Sequence, residues 1–225
     1  MQQRLATVVG IFGVLLGIRV LAWQSQAPAG HVPDHMEHRF DSPEQSAKQF
    51  DDPARDVWQM PDRVIATLGL KAGQSVADVG AGTGYFSMRL AKSSALPTVY
   101  AVDIEPSMVE YLKSRAAKEG LKNVVPVQAS ADSPHIPAPV DLVLIVDTYH
   151  HIGSRVEYFR KLRASLKPAG RLAIIDFRKD APSGPPPEFR FTEAQITSEL
   201  TQAGYGLAAS HSFLPRQLFA VYQPK

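Results

Sequence analysis

Three glycines at every second position follow an aspartate in VADVGAGTGYF, residues 76–86. The aspartate is Asp78, and the glycines are Gly80, Gly82 and Gly84. Residues without a Cβ allow unusual backbone angles and let a ligand approach the chain closely. A carboxylate at the same turn attracts an ammonium group and repels a phosphate, because charges interact strongly in a partly desolvated site. The segment therefore predicts a site for a ligand that carries a positive charge.

A second carboxylate, that of Asp103, ends the next apolar segment, 19 residues after Gly84. A carboxylate in this position can accept hydrogen bonds from both ribose hydroxyls of an adenosine. Together, Asp78 and Asp103 describe a ligand with a nucleoside at one end, an ammonium at the other and no phosphate. S-adenosylmethionine has this chemistry.

The turn differs from the two common phosphate-binding turns. A dinucleotide turn has the spacing G-x-G-x-x-G, whereas the third glycine here comes one residue earlier and Tyr85 follows it. A Walker loop ends in Gly-Lys-Ser/Thr, which this segment lacks. An NAD-type oxidoreductase is therefore an alternative that Asp78 disfavours. A non-catalytic cofactor-binding protein of the same fold is the second alternative.

Polar side chains follow the most apolar segment of the chain, VDLVLIV, residues 140–146. They are Asp147, Tyr149, His150 and His151. A histidine can take a proton near neutral pH, which a hydroxyl nucleophile requires, so His150, His151 and Tyr149 are candidate catalytic residues. Neighbouring side chains in an extended segment point in opposite directions, so at most one of the two histidines faces the site. Packing or a loop-shaping hydrogen bond is the alternative role for either histidine.

Strands and helices alternate from residue 61 onward and must position these side chains. Pro126 favours an edge position for the third strand, because proline cannot donate to a neighbouring strand. The order predicts an open parallel sheet with helices on both faces and an antiparallel hairpin at its end. Apolar runs predict strands at 75–79, 98–104, 124–129, 140–149 and 171–177, and a closing hairpin at 207–214 and 217–223. Helical spacing predicts helices at 61–68, 84–92, 106–119, 156–166 and 192–203.

Five segments resemble, in order and spacing, the motifs of class I S-adenosylmethionine-dependent methyltransferases. They are VADVGAGTGYF, AVDIEPSM, ASAD, VDLVLIVDTYHHI and LKPAGRLAIIDF, and the resemblance runs from about residue 61 to the C-terminus. It implies an α/β fold with a doubly wound, mostly parallel seven-stranded sheet and a C-terminal antiparallel hairpin. It also implies in-line transfer of a methyl group to a small-molecule acceptor.

The resemblance assigns roles to particular residues. Met108 would cover one face of the adenine and Asp132 would meet the adenine amino group, although ordinary core packing and an N-cap role are the respective alternatives. The remaining cofactor-binding assignments are Asp78, Gly80, Gly82 and Gly84 around the methionine end, Asp103 at the ribose, and Asp147 at the methionine portion.

Three further features are candidates for contact with the acceptor. Trp58 lies in FDDPARDVWQMP, which resembles a stretch found before this domain in some bacterial members, and is a possible lid residue. Asp176 ends a strand at the mouth of the predicted site, with a loop-capping role as its alternative. The proline-rich segment 181–190 predicts a stiff extended arm over the substrate, with Phe189 and Phe191 lining a pocket or holding the arm in place.

Composition narrows the class of partner. Lys plus Arg number 24 against 22 Asp plus Glu, and no basic run exceeds two residues, which argues against nucleic acid and for a small-molecule acceptor. The chain has no cysteine, so disulfides, thiolate metal sites and cysteine nucleophiles are excluded. The histidines at 31, 35 and 38 are interpreted as linker residues, and no metal site is predicted.

The N-terminus combines the basic segment MQQR with an uncharged apolar run over residues 5–18. This pattern predicts a signal or anchor segment at 1–23, a linker at 24–49 and the methyltransferase domain at 50–225. The chain would then be exported to the periplasm or attached to a membrane through residues 5–23, with a cytoplasmic location as the alternative. A membrane-attached enzyme would favour a lipophilic acceptor.

Overall fold

The computed structural model describes residues 42–93 and 98–225. The predicted signal or anchor segment, residues 1–23, lies outside the described residues, as do the three linker histidines. The predicted linker extends to residue 49, but a helix begins within it at Pro43, a residue suited to the first turn of a helix. No helix of the described ranges is long and apolar enough to cross a membrane.

The described residues form seven α-helices and seven β-strands, with single 3₁₀ turns between some of them. The helices are α1 Pro43–Phe50, α2 Ala54–Gln59, α3 Pro61–Leu68, α4 Tyr85–Ser93, α5 Pro106–Lys118, α6 Arg155–Leu162 and α7 Glu193–Gln202. The strands are β1 Val76–Val79, β2 Val99–Asp103, β3 Val124–Gln128, β4 Val140–Val146, β5 Leu166–Phe177, β6 Tyr205–His211 and β7 Gln217–Pro224.

All seven strands belong to one sheet in the order β3-β2-β1-β4-β5-β7-β6. Strands β1 to β5 pair in parallel, whereas β7 runs antiparallel to both β5 and β6. Pro126 lies in the edge strand β3, as predicted. The seven-stranded sheet with its C-terminal hairpin confirms the predicted fold. Its strand order reverses beside β1, where open α/β sheets bind ligands at the carboxyl ends of the strands.

Apolar side chains cover both faces of the sheet, because each central strand is buried on its two sides. One core contains Val64, Leu90 and Leu112 from α3, α4 and α5. The opposite core contains Phe159 and Leu200 from α6 and α7. The helices therefore hold the sheet from both sides, and the carboxyl ends of the strands remain free for polar residues.

Several predicted element boundaries differ from the structure, among them the start of β5 and both ends of β6. Leu166 was predicted to continue a helical stripe, but α6 ends at Leu162 and Leu166 begins β5. Pro168 contributes to this difference, since it disfavours helical geometry at Lys167 and cannot donate a helical hydrogen bond to the carbonyl of Ala164. The predicted strand 140–149 ends at Val146 because Asp147 has a φ of 52°, a left-handed conformation that a strand does not continue.

Candidate functional site

Four aspartates meet at the carboxyl edge of the sheet, at or just after the ends of four neighbouring strands. They are Asp78, Asp103, Asp147 and Asp176, at β1, β2, β4 and β5. Burial raises the pKa of Asp78 to about 6, although the Ser87 hydroxyl, which donates at 2.6 Å, opposes this shift. Burial likewise raises the pKa of Asp147, and the neighbouring Asp176 adds to the effect. This edge of the sheet therefore concentrates buried carboxylates whose ionised forms a cationic ligand would stabilise.

The glycine turn after β1 is shaped by its backbone and by protein neighbours. Gly80, Gly82 and Gly84 have φ values of 78°, 54° and 92°, which residues with side chains rarely adopt. A Cβ on Gly82 would lie 3.3 Å from the ring of Phe50. The glycines thus allow the turn to form and allow an N-terminal helix to pack directly on it.

Asp103 is fixed by backbone N–H groups. Gly82 donates to one carboxylate oxygen at 2.7 Å, and Glu105 donates to the other at 3.0 Å. Burial raises the pKa of Asp103, and these two hydrogen bonds oppose the shift. A carboxylate oxygen can accept more than one hydrogen bond, so Asp103 can also accept from a ligand hydroxyl. The geometry is consistent with the predicted ribose contact.

The residues assigned to adenine differ in accessibility. Met108 is only 1% exposed within α5, whereas Ile104, directly after Asp103, is 51% exposed. Ile104 is therefore an exposed apolar side chain next to Asp103. The sequence indicated it only through an apolar residue directly after the aspartate that ends β2. Asp132 is exposed and accepts a hydrogen bond from the Ser130 hydroxyl at 2.8 Å, in a loop between β3 and β4 rather than at the N-cap of a helix. Adenine contacts by Met108 and Asp132 remain predictions.

Helices α1 and α2 lie over the glycine turn, and we call them the cap. Phe50 packs on Gly82, and Asp51 accepts two hydrogen bonds from Arg115 at 2.9 Å. Asp56 accepts a hydrogen bond from the Tyr85 hydroxyl at 2.5 Å. Sequence reasoning carried only Trp58 from this region, because the partners of the cap lie far away in the chain.

Four polar side chains form a closed ring between the cap and the sheet. Arg55 donates to Asp147 at 3.3 Å and to Gln59 at 3.1 Å. Gln59 donates to Gln217 at 2.6 Å, and Gln217 donates to the other oxygen of Asp147. Gln59 and Gln217 are fully buried, so each amide depends on the ring for its hydrogen bonds. The ring places a guanidinium next to the acidic edge and fixes the carboxylate of Asp147.

His150 and Asp176 form a buried pair at the ends of β4 and β5. The Nδ1 atom of His150 lies 2.9 and 3.0 Å from the two carboxylate oxygens of Asp176. The backbone N–H of Phe177 also donates to Asp176, at 2.7 Å. Burial disfavours the imidazolium, but the Asp176 carboxylate outweighs burial and raises the pKa of His150. Among the described residues, Nε2 of His150 has no hydrogen-bond partner.

Two residues that were candidates for the site are buried and held by other side chains of the protein. Tyr149 was a candidate catalytic residue, but it is 0% exposed, stacks on Phe159 and donates its hydroxyl proton to Glu199 at 2.6 Å. Its hydroxyl is therefore occupied by a hydrogen bond within the protein. Asp176 was a candidate substrate contact, but its buried carboxylate faces His150, through which it would act. The ring of His151 lies 4.3 Å from that of His150, outside this pair.

The segment 181–190 is folded rather than extended. Arg190 is buried, and its guanidinium donates to the carbonyls of Pro185 and Ala181, both at 2.6 Å. A 3₁₀ turn at Pro187–Phe189 shortens the segment. Phe191 packs edge-on against Tyr149 at 5.2 Å, so it holds the segment on the core.

The residues present fit S-adenosylmethionine. Carboxylates at Asp78 and Asp147 suit an ammonium group, the Asp103 carboxylate can accept from a ribose hydroxyl, and Ile104 offers apolar surface beside it. In the described ranges, no group of three or more His, Asp or Glu side chains is placed to hold a metal ion.

A family model described as a methyltransferase domain matches residues 70–211. The chain belongs to the methyltransferase-domain family. A solved S-adenosylmethionine-dependent methyltransferase from Aquifex aeolicus is 30% identical, with a TM-score of 0.72, and the match covers 82% of this chain and 98% of that one. These findings confirm the predicted family and S-adenosylmethionine as the cofactor.

Curated relatives of the methyltransferase carry names that state their acceptors. The 27-O-demethylrifamycin SV methyltransferase of Amycolatopsis mediterranei is 32% identical over 53% of this chain and 44% of its own length. The demethylmenaquinone methyltransferase of Tropheryma whipplei is 30% identical over 49% of this chain and 44% of its own length. The methyltransferase thus spans less than half the length of these two relatives.

Proposed function

We propose that this methyltransferase transfers a methyl group to a hydroxyl oxygen of a small-molecule acceptor, with His150 as the general base. The observation that carries the proposal is the buried His150–Asp176 pair, whose Nε2 has no partner among the described residues. A base on Nε2 is what a protonated nucleophile needs, whereas a nucleophile with a free lone pair does not need one.

The residues divide the reaction between them. S-adenosylmethionine, when bound, supplies the electrophilic methyl group. Asp78 and Asp147 hold its ammonium group and Asp103 holds the ribose hydroxyls, so that methyl and acceptor oxygen are in line. Nε2 of His150 takes the hydroxyl proton as the oxygen–methyl bond forms. Asp176 keeps the imidazole oriented and stabilises its charge, which makes Asp176 a positioning residue.

A small and lipophilic acceptor is supported by two observations. The chain is nearly neutral overall and has no basic run, unlike a protein that binds nucleic acid. The relatives named above act, by their names, on a rifamycin and on demethylmenaquinone. Attachment to a membrane or export through residues 5–23 is part of the proposal, because either would bring the enzyme to such acceptors at a lipid surface.

The test is a methylation assay on the full chain with S-adenosylmethionine and a panel of small phenols and quinols. Formation of S-adenosylhomocysteine measures turnover, and calorimetric titration with S-adenosylhomocysteine measures cofactor binding. We expect His150→Gln to lower kcat by about 10²- to 10⁴-fold with unchanged cofactor affinity. The neighbouring His151→Gln is the matched control and should retain most of the activity.

Two outcomes would overturn the proposal. If His150→Gln turned over as fast as the wild type, His150 would not be the general base. The argument for a hydroxyl acceptor would then be lost. Cofactor binding without turnover on any acceptor of the panel would favour the non-catalytic alternative.

A further inference from the structure

Two aromatic side chains meet at the carboxyl end of β5, where Phe177 follows Asp176, the partner of the proposed base. Trp58 of the cap and Phe177 at the end of β5 lie with ring centroids 5.6 Å apart at an angle of 41°. Phe177 directly follows Asp176, the residue that holds His150. Trp58 is only half-buried, so part of its ring faces outward. The two rings therefore provide apolar surface at the carboxyl end of β5, the strand end that also carries the His150–Asp176 pair.

A guanidinium lies over the same tryptophan. The Cζ atom of Arg216 is 5.1 Å from the centre of the Trp58 ring. Arg216 directly precedes Gln217, which donates to Asp147, so this cation also lies at the carboxyl edge of the sheet. The group consists of Trp58 from the cap, Phe177 from β5 and Arg216 from the loop that leads into β7, and we call it the aromatic-arginine group.

Arg216 lacks the acidic partner that its neighbours have. Its side chain donates to the Ser183 hydroxyl at 3.2 Å, and no carboxylate of the described residues pairs with it. By contrast, Arg55 pairs with Asp147, and Arg178 pairs with Asp180. A half-buried guanidinium next to an aromatic surface is well suited to a carboxylate, which it can bind through two parallel hydrogen bonds.

We infer that the acceptor is a planar aromatic hydroxyl compound that also carries an anionic group, such as a carboxylate. This inference rests on the proposed function. The aromatic ring of the acceptor lies against Trp58, its anionic group binds Arg216, and its hydroxyl faces Nε2 of His150. The hydroxyl proton moves to Nε2, the oxygen takes the methyl group, and the bond from methyl to sulfur breaks with its electron pair on sulfur. The products are an aryl methyl ether, S-adenosylhomocysteine and a proton that His150 returns to solvent.

The test compares two probes that differ only in charge, 3,4-dihydroxybenzoate and its neutral analogue 3,4-dihydroxybenzamide. Calorimetry measures the affinity of the full chain for each probe with S-adenosylhomocysteine present. We expect the acid to bind at least about tenfold more tightly than the amide, because its carboxylate pairs with Arg216. Arg216→Gln should remove this preference.

Two variants separate the charge from the ring. Lys179→Gln removes one positive charge from an exposed position and should keep the preference for the acid. Trp58→Ala should weaken both probes by a similar factor, because the apolar surface serves both. Thermal unfolding of each variant shows that the fold is retained.

The outcomes distinguish this inference from the proposed function. Equal affinity for acid and amide in the wild type, or no binding of either, overturns the inference even if His150-dependent methylation of neutral phenols proceeds. A preference for the acid that Arg216→Gln retains also overturns it. A preference for the acid that depends on Arg216, without methylation of any acceptor, supports the inference and contradicts the proposed function.

Discussion

Asp78 is a buried carboxylate whose surroundings favour its protonated form. Its pKa in the fold is about 6 against an ordinary value of 3.8, with burial as the main cause. A site built to bind an ammonium group explains this arrangement, because the ligand supplies the missing positive charge. The ligand-free protein carries the unfavourable ionised group at neutral pH.

Asp78→Asn should therefore stabilise the ligand-free protein at pH 8 and weaken cofactor binding. The raised pKa means that the fold holds the proton more tightly than the unfolded chain does, a stabilisation that is complete below about pH 4 and lost as the pH rises through 6. We expect a gain of about 2 kcal/mol in the free energy of unfolding at pH 8 and almost none at pH 4. Urea denaturation at both pH values measures it.

Asp141 provides the opposite control. Burial opposes its ionisation, but Lys167 and Ser75 outweigh burial and lower the pKa of Asp141. Asp141→Asn should therefore destabilise the fold at pH 8. An equal effect of Asp78→Asn at both pH values would contradict the assignment of a suppressed charge to Asp78.

The negative charge of Asp103 should strengthen cofactor binding. Asp103→Asn keeps the shape of the side chain but weakens its hydrogen bonds to ribose hydroxyls. We expect about a ten- to hundredfold loss of affinity for S-adenosylhomocysteine by calorimetry. Glu105→Gln, two residues away, is the matched control and should change the affinity by less than about threefold. Similar losses in the two variants would reject the ribose assignment.

At the scale of elements, the cap is joined to the sheet by the ring of Arg55, Gln59, Gln217 and Asp147. Buried amides that lose a partner carry a desolvation penalty, so each member of the ring stabilises the others. The cap and the C-terminal hairpin should therefore behave as one cooperative unit.

Gln59→Leu and Gln217→Leu should each lower the free energy of unfolding by about 1–3 kcal/mol, because each leaves the other amide unpaired. The double variant removes both amides and should lose less than the sum of the single losses. Chemical denaturation of the three variants gives the coupling. Additive losses would mean that the two amides do not depend on each other.

At the scale of the whole molecule, the cap differs from the two apolar cores in the kind of contacts that hold it in place. In the described part of the chain, none of the buried apolar residues of the two cores comes from α1 or α2. The contacts of the cap are mostly polar, and they concentrate on the glycine turn and on Asp147.

A chain of residues 60–225 should therefore fold but bind S-adenosylhomocysteine at least about tenfold more weakly than a chain of residues 42–225. Circular dichroism checks folding, and calorimetry measures the affinity. The longer chain should match the full protein. Equal affinities for the two truncated chains would exclude a role of the cap in the cofactor site.

How much could be predicted from the sequence depends on how far apart in the chain the contacting residues lie. Strand β1, the glycine turn and Asp103 were predictable, because short apolar runs and fixed spacings specify them. The ring was not, since Arg55 reaches Asp147 over 92 residues and Gln59 reaches Gln217 over 158. The hydrogen bond of Tyr149 was not predictable either, because its partner Glu199 lies 50 residues further along the chain.

The bond between Gln59 and Gln217 has a consequence for the order of events on the ribosome. Gln59 is made early, but β7 begins only at Gln217 in a chain of 225 residues. Domains generally assemble in the order of their synthesis. Here α2 cannot form its buried hydrogen bond until β7 has been synthesised. A polypeptide interrupted before β7 therefore cannot fix its N-terminal helices over the cofactor site.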